Sequence, residues 1–379
     1  MSIINKILII IFNYLTILFI TFVLIEISLC FATQFVRLPI NYPTYSDSNV
    51  HSFWQDINKD FGVWHKANDS FTHKTSCFTV EYTSNSYGAR DKEREMKVKK
   101  NKQRVIVLGD SFIEGFGVER NKRLSDLLEQ QTGLEHLNFG TSGNFGTIQQ
   151  AILYETLALK FDHNYVVIGM LPNNDFLDDS FEFGKKVYKN RYRPYYNGVY
   201  PNYKIIYFQN EFTEKFSGNQ IKLYLRNFTF SYNVIKYFKS LIVYKYNSNE
   251  KSKTGYSGYY DYSQDEFLKA RYSFEKIVML ANKFGKSVLL FTIPVYIDFI
   301  RSKNNKSIAP LNKALSKLSK EIGFEYLDLL PLMKGQEDIK RFFHSCDGHW
   351  SDYGHKFVSE ILLENSHLYK FSVKNSKTN

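Results

Sequence analysis

Cysteine is scarce in this chain. Three occur in 379 residues, Cys30, Cys77 and Cys346. No two stand at metal-ligand spacing such as C-x-x-C, so no zinc or dithiol redox site is signalled by them. Cys77 and Cys346 leave two readings open: a disulfide, if the domain lies outside the cytoplasm, or two unpaired, partly buried thiols. Internal repeats are lacking. So is any long Arg/Lys block with interleaved aromatics, although Lys and Arg (49) outnumber Asp and Glu (38) for a formal net charge of +11. The scatter of these charges argues against nucleic acid as a partner. A positive surface of this kind fits lipid headgroups or an acidic glycan better. The many Phe (33) and Tyr (28) are what an AT-rich coding sequence produces, and no function is read from them.

What is present begins at the N-terminus. "KILIIIFNYLTILFITFVLIEISLCF" is an apolar run with Asn13 and Glu26 as its only strongly polar interruptions. A bilayer core needs about 20 apolar residues as a helix, against about 7–15 in a cleaved signal. The run therefore predicts a membrane anchor rather than a cleaved signal, although "CFA" at 30–32 could serve as a weak cleavage site. Leu29 before Cys30 is not the small residue that a lipoprotein signal requires. Lys6 and Arg37 flank the run almost evenly, so charge barely orients it. A large domain after a lone N-terminal span most often sits outside the cytoplasm, and a periplasmic or cell-surface domain is expected.

Residues 34–103 read as a mixed, polar lead-in, with "CFTVEYTSNSYGARD" (77–91) starting as a strand-like alternation and ending in turn residues. The charge run "DKEREMKVKKNKQR" reads as a solvated link. From residue 104 strand and helix alternate. "RVIVLG", "LEHLNFG", "YVVIG", "SVLLFTIP" and "FEYLDLL" are strand candidates. "RLSDLLEQQTG", "TIQQAILYETLALKF", "DEFLKARYSFEKIVMLANKFG", "APLNKALSKLSKEIG" and "SDYGHKFVSEILLE" carry apolar residues at helical spacing. Such alternation predicts an α/β domain, a parallel sheet covered on both faces. Residues 180–263 interrupt it with a Tyr-rich stretch and one helix, "SYNVIKYFKSLIVYKY". They read as an insertion over the C-terminal sheet edge, where ligands bind in open α/β folds. Their aromatics could form a sugar-stacking wall or serve ordinary packing.

The chemistry gathers around "VIVLGDSFIEGFGV" (105–118). Ser111 follows a buried strand at the tip where a helix begins, among outward-pointing N–H groups that favour negative charge. By itself it reads better as a helix cap. A nucleophilic serine needs a base, and the base an orienting acid. "HSCDGHWSDYGH" near the C-terminus offers Asp347 and His349, two apart in a loop that leaves the sheet at the same edge. His344 and His355 are rivals for the base, His355 being placed on the last helix. Two further turns end there: "NFGTSGNFGT", where Gly143 could offer an N–H to an oxyanion, and "GMLPNNDF", where Asn173 or Asn174 could offer an amide. Asp110 is expected to brace the turn rather than to touch substrate.

These blocks resemble the SGNH (GDSL-like) hydrolases, in particular membrane-anchored bacterial members similar to polysaccharide O-acetyl esterases and acetyltransferases. "GDSFIEG" matches the first block through Ser111, "NFGTSGN" the second through Gly143, "PNND" the third through Asn174, and "DGHW" the last through Asp347 and His349. "SNSYGARD" (84–91) is similar to a lead-in of anchored members, so the likeness spans about 77–365. The acid and base stand as D-x-H where many members have D-x-x-H, an arrangement of a subtype. The third block is stretched by "MLPN" after Gly169. The resemblance implies a three-layer, flavodoxin-like fold with a central parallel five-stranded sheet. It implies acyl-ester chemistry through an acyl-enzyme: Ser111, Asp347 and His349 catalytic, with Ser111, Gly143 and Asn174 as the oxyanion hole. It implies no metal and no organic cofactor.

The expected organisation is an anchor (1–33), a lead-in packed on the domain (34–103) and an SGNH-like domain (104–370) with the insertion at 180–263. The leading functional expectation is an esterase that removes O-acetyl groups from a cell-surface or secreted glycan. An O-acetyltransferase on the same glycan class, a lipid esterase, and a non-catalytic glycan-binding or assembly protein are the alternatives. The sequence leaves the oligomeric state open.

Overall fold

The computed structural model describes residues 3–98, 102–188, 191–208, 219–247, 255–304, 307–336 and 338–370. Helix α1 (Ile3–Val36) takes up the whole N-terminal apolar run, with a mean hydropathy of 2.7 in its best window. Its residues 3–22 are exposed on every side. At 1.5 Å per residue these twenty residues measure about 30 Å, the thickness of a bilayer core. From residue 23 on, one face of the helix is covered, and Thr33 is buried. The helix thus runs three residues beyond the expected boundary at 33 because its last turns belong to the folded domain.

The lead-in forms two antiparallel hairpins, β1 (Gln55–Asn58) with β2 (Gly62–Trp64) and β3 (Ser70–Lys74) with β4 (Thr79–Thr83). Phe53, Phe71, Val80 and Tyr82 make a small core beneath them. Only β4 was legible as alternation in the sequence. β1 and β2 are four and three residues long, too short to show a period, and β3, though as long as β4, is not among the expected strands. Part of the charge run, 99–101, lies outside the described residues.

The main sheet contains β5 (Arg104–Gly109), β6 (Glu135–Asn138) and β7 (Tyr165–Met170), together with 287–292 and 325–328 further on. All pairs are parallel, with Val105 opposite Tyr165 and His136, Ser287 opposite Tyr165, and Leu289 opposite Glu325. Counted within this sheet, the strand order is 2-1-3-4-5, the flavodoxin-like arrangement with its switch point at β5. The five expected strands are all present.

Along the chain the covering helices are α2 (Ser111–Glu114), α3 (Leu124–Thr132), α4 (Thr147–Thr156), α5 (Pro172–Asp178) and α6 (Phe181–Val187). The insertion then supplies the hairpin β8 (Pro194–Val199)–β9 (Asn202–Tyr207) and helices α7 (Gln220–Phe228) and α8 (Phe230–Asn247). Its residues 189–190, 209–218 and 248–254 lie outside the described residues. There follow α9 (Gln264–Lys283), β10 (Ser287–Thr292), α10 (Tyr296–Asn304), α11 (Pro310–Ile322), β11 (Glu325–Asp328), α12 (Leu329–Lys334) and α13 (Asp352–Asn365).

Alternation along each strand divides the core in two. Ile106, Leu108, Val166, Ile168 and Leu290 face α4, α9 and α11. Val105, Val107, Val167, Leu289 and Phe291 face α3, α10, α12 and α13. Burial on both faces explains why these strands read as continuous apolar runs.

Candidate active site

β5 delivers the chain to the edge of the sheet at Gly109. Asp110, buried, caps α2: its Oδ1 accepts the Phe112 N–H at 3.0 Å. Burial pushes its carboxyl up to about 7. It braces the turn, as expected of it. Ser111 is the first residue of α2, which ends after one turn because Gly115 adopts a left-handed conformation (φ 83°). Gly117 is also left-handed (φ 79°), and a Cβ there would lie 2.6 Å from His344 Nε2. Bulk at 117 would therefore collide with the loop that carries the histidines.

That loop runs from the 3-10 turn Ile339–Phe342 to the start of α13. Within it Asp347 Oδ1 accepts the His349 backbone N–H at 2.9 Å and takes a short hydrogen bond at His349 Nδ1. His349 Nε2 lies 2.8 Å from Ser111 Oγ. The imidazole is held by rings of the Ser111 segment: it stacks on Phe116 at 4.3 Å and tilts against Phe112 at 5.0 Å. Burial of Asp347 opposes its charge, but the hydrogen bonds and charge of His349 outweigh it and bring the carboxyl down to about 2. The acid thus stays ionised while it holds the ring.

Of the rival histidines, His344 lines the same pocket, and burial lowers its pKa. His355 is buried in α13 and accepts the Leu124 N–H at Nδ1, a structural position.

A cavity of about 930 Å³ opens over Ser111. Gly143, Asn173 and Asn174 all reach it. Gly143 is left-handed (φ 98°), and its carbonyl accepts a 2.7 Å hydrogen bond from Arg191, which pairs with Asp56 of β1. Tyr296 and Phe343 add aromatic walls. No described residue of 180–263 lines the cavity, so among the described residues the insertion contributes no sugar-stacking wall to it. Its tyrosines stack on one another instead, Tyr192 on Tyr207 and Tyr196 on Tyr203. The reason is topological: β8–β9 lies against α4 and the β1–β2 loop, where Tyr192 and Tyr207 donate to the carbonyls of Lys59 and Asp60.

Sequence reasoning overlooked a buried network behind the serine. Glu114, fully buried, accepts from Trp54 Nε1 (2.9 Å) and from the Ser142 N–H (2.6 Å) and hydroxyl, and faces His65 Nε2 at 3.0 Å. Burial opposes its charge, but these hydrogen bonds and the charges of His65 and Arg90 hold it down at about 2. Arg90, also buried, donates to the carbonyls of Glu114, Gly115 and Val118. A carboxylate inside the otherwise apolar "SFIEGFGV" was the available signal. Cys77 and Cys346 form a disulfide, their Cα atoms 5.9 Å apart, which ties the β3–β4 hairpin to the residue before Asp347. Among the described residues no group of three or more His, Cys, Asp or Glu is placed to share a metal ion.

No family model and no curated protein matches the chain. Solved structures with a similar arrangement include a lipase/acylhydrolase from Enterococcus faecalis, 12% identical, covering 69% of this chain and 94% of that one at a TM-score of 0.39. A GDSL-like lipase from Bacteroides thetaiotaomicron is 11% identical over 75% of this chain and 93% of that one, with a TM-score of 0.37. A carbohydrate esterase family 2 enzyme with a carbohydrate-binding domain, from Corynascus thermopiles, is 13% identical over 73% and 68%, with a TM-score of 0.39. Likenesses this distant carry no weight for activity, and the fold stands on the sheet described above.

Proposed function

We propose that this chain is a serine-dependent acyl-ester hydrolase working through an acyl-enzyme. The observation that carries the reading is the hydrogen-bonded line Ser111–His349–Asp347 at the floor of an open cavity. Ser111 Oγ attacks the ester carbonyl carbon while His349 Nε2 takes its proton. Asp347 holds Nδ1–H and stabilises the imidazolium. The Ser111 and Gly143 N–H groups and the Asn174 amide receive the oxyanion. The tetrahedral intermediate collapses, and His349 returns the proton to the departing alcohol. Water then attacks the acyl-serine with His349 as base, the carboxylic acid leaves, and Ser111 regains its proton.

The substrate we infer is an O-acetylated glycan outside the cytoplasm, with α1 as a single-pass anchor. Two features support that side of the membrane. A disulfide persists in an oxidising compartment, and the folded domain follows a lone N-terminal span. The test is the purified chain with an activated acetyl ester and a fluorophosphonate probe. Wild type should turn over and label, and Ser111→Ala should do neither. A Ser111→Ala variant that keeps both overturns the assignment. Product analysis on an acetylated glycan with an added acceptor then separates hydrolysis from transfer.

A further inference from the structure

A second, cationic pocket shares no lining residue with the cavity over Ser111 and is built on α7 and α8, the latter in contact with the anchor helix. It has a volume of about 600 Å³ and lies between α7 and α8. Lys222, Arg226, Lys236 and Lys239 line it, and no carboxylate is among its lining residues. Arg226 is fixed in place by donating to the carbonyls of Asn49 (3.0 Å) and His51 (2.5 Å). Lys236 is exposed as a residue, yet burial of its ammonium at the pocket wall and the charges of Arg226 and Lys222 lower its pKa. Four cations converge here without a described counter-charge, and an anion would relieve them.

Three observations set this pocket at a membrane surface. Glu26, one of the two polar interruptions in the apolar run, accepts the Phe230 N–H (2.6 Å) and the Ser231 N–H (3.0 Å), so the anchor itself caps α8. The bare part of α1 ends at residue 22, one turn before this cap. The pair α7–α8 also presents a row of large, mostly apolar side chains to the outside: Ile221, Tyr224, Ile235, Phe238, Leu241 and Ile242 are all exposed. Apolar residues beside lysines, continuous with a spanning helix, make the composition of an interfacial helix pair.

We propose that α7–α8 lies in the headgroup layer and that Lys222, Arg226, Lys236 and Lys239 seat the phosphate of an anionic phospholipid. The proposal rests on α1 spanning a bilayer and is independent of the chemistry at Ser111. Docking of this kind would hold the domain in one orientation to the surface, beyond what a single flexible span provides.

The test is amide hydrogen exchange of the full chain in nanodiscs of phosphatidylcholine alone and of phosphatidylcholine with phosphatidylglycerol. Exchange across 220–242 should slow on the order of 10-fold in the anionic discs. The triple variant Lys222→Gln, Lys236→Gln, Lys239→Gln should lose that difference and keep its turnover of a small ester. Equal exchange of the wild type in both discs overturns the proposal, and that comparison needs no variant. So does equal protection by inorganic phosphate in neutral discs, which would make this a soluble-anion site. Protection that appears only with two chains per disc would assign the face to a second copy. Carbonate extraction of membranes reports on α1 separately: release of the chain refutes the anchor and the docking surface together.

Discussion

Removing the Glu114 side chain tests whether the second turn of the candidate site is held by the network behind the serine. In Glu114→Ala the Trp54 Nε1–H and the Ser142 N–H lose their acceptor inside a buried space. Each unsatisfied buried donor costs about 1–3 kcal/mol, and breaking a buried charged group from its partners costs about 3–5 kcal/mol. We therefore expect a loss of about 3–5 kcal/mol, read as a fall in Tm of roughly 6–10 °C at about 2 °C per kcal/mol for a domain of this size. Activity should suffer separately. Ser142 precedes Gly143, so its release shifts the proposed oxyanion donor relative to Ser111. A displacement of about 1 Å costs on the order of 100-fold, bounded by the 10²–10³-fold cost of losing a donor outright. Glu114 is fully buried and does not line the cavity over Ser111, so the loss should fall on kcat and leave KM unchanged. Glu114→Gln can turn its carbonyl to Ser142 and its amide to His65, and should restore most of the turnover. The assay is steady-state hydrolysis of an activated acetyl ester at several concentrations, with active sites counted by a fluorophosphonate. A Glu114→Ala enzyme with kcat within twofold of wild type would refute this positioning role.

Two other predictions concern the same scaffold. Cys346→Ser opens a disulfide that closes a loop of 269 residues, whose chain-entropy stabilisation reaches about 5 kcal/mol; thermal unfolding should show a lower Tm, and turnover should drop because Cys346 adjoins Asp347, whereas unchanged values would show that the bridge is incidental. Glu114, held at about 2 against an ordinary 4.5, adds stability that is complete above about pH 4.5 and is lost as pH falls through about 2, amounting to about 3 kcal/mol; the stability gap between wild type and Glu114→Gln, followed by denaturant unfolding, should therefore close across that window, and a gap constant with pH contradicts it.

The central sheet was legible in the sequence because its strands are buried on both faces and its helices keep a 3.6-residue period. Ser111 was legible as a strand-to-helix turn, and the Asp347–His349 pair was legible because a two-residue separation places acid and base within one loop. Other features were hidden in proportion to their range. The hairpins β1–β2 and β3–β4 are short, and their burial comes from residues elsewhere in the chain. Glu114 meets Trp54 and Ser142, 60 and 28 residues away, and neither separation has a periodic signature. The tyrosines of 180–263 were visible as composition, but composition does not say which surface a hairpin covers, and they turned onto one another.

Local physics was thus sufficient for the elements of the central sheet and for naming the groups we propose to react. Hydrophobic periodicity and turn chemistry act over a few residues, and one chain displays both. The 2.8 Å approach of His349 to Ser111 across 238 positions, the pairing of Cys77 with Cys346 and the capping of α8 by Glu26 required the tertiary structure. Each depends on where the packed sheet edge and the anchor helix bring distant segments, and that is set by burial summed over the whole core.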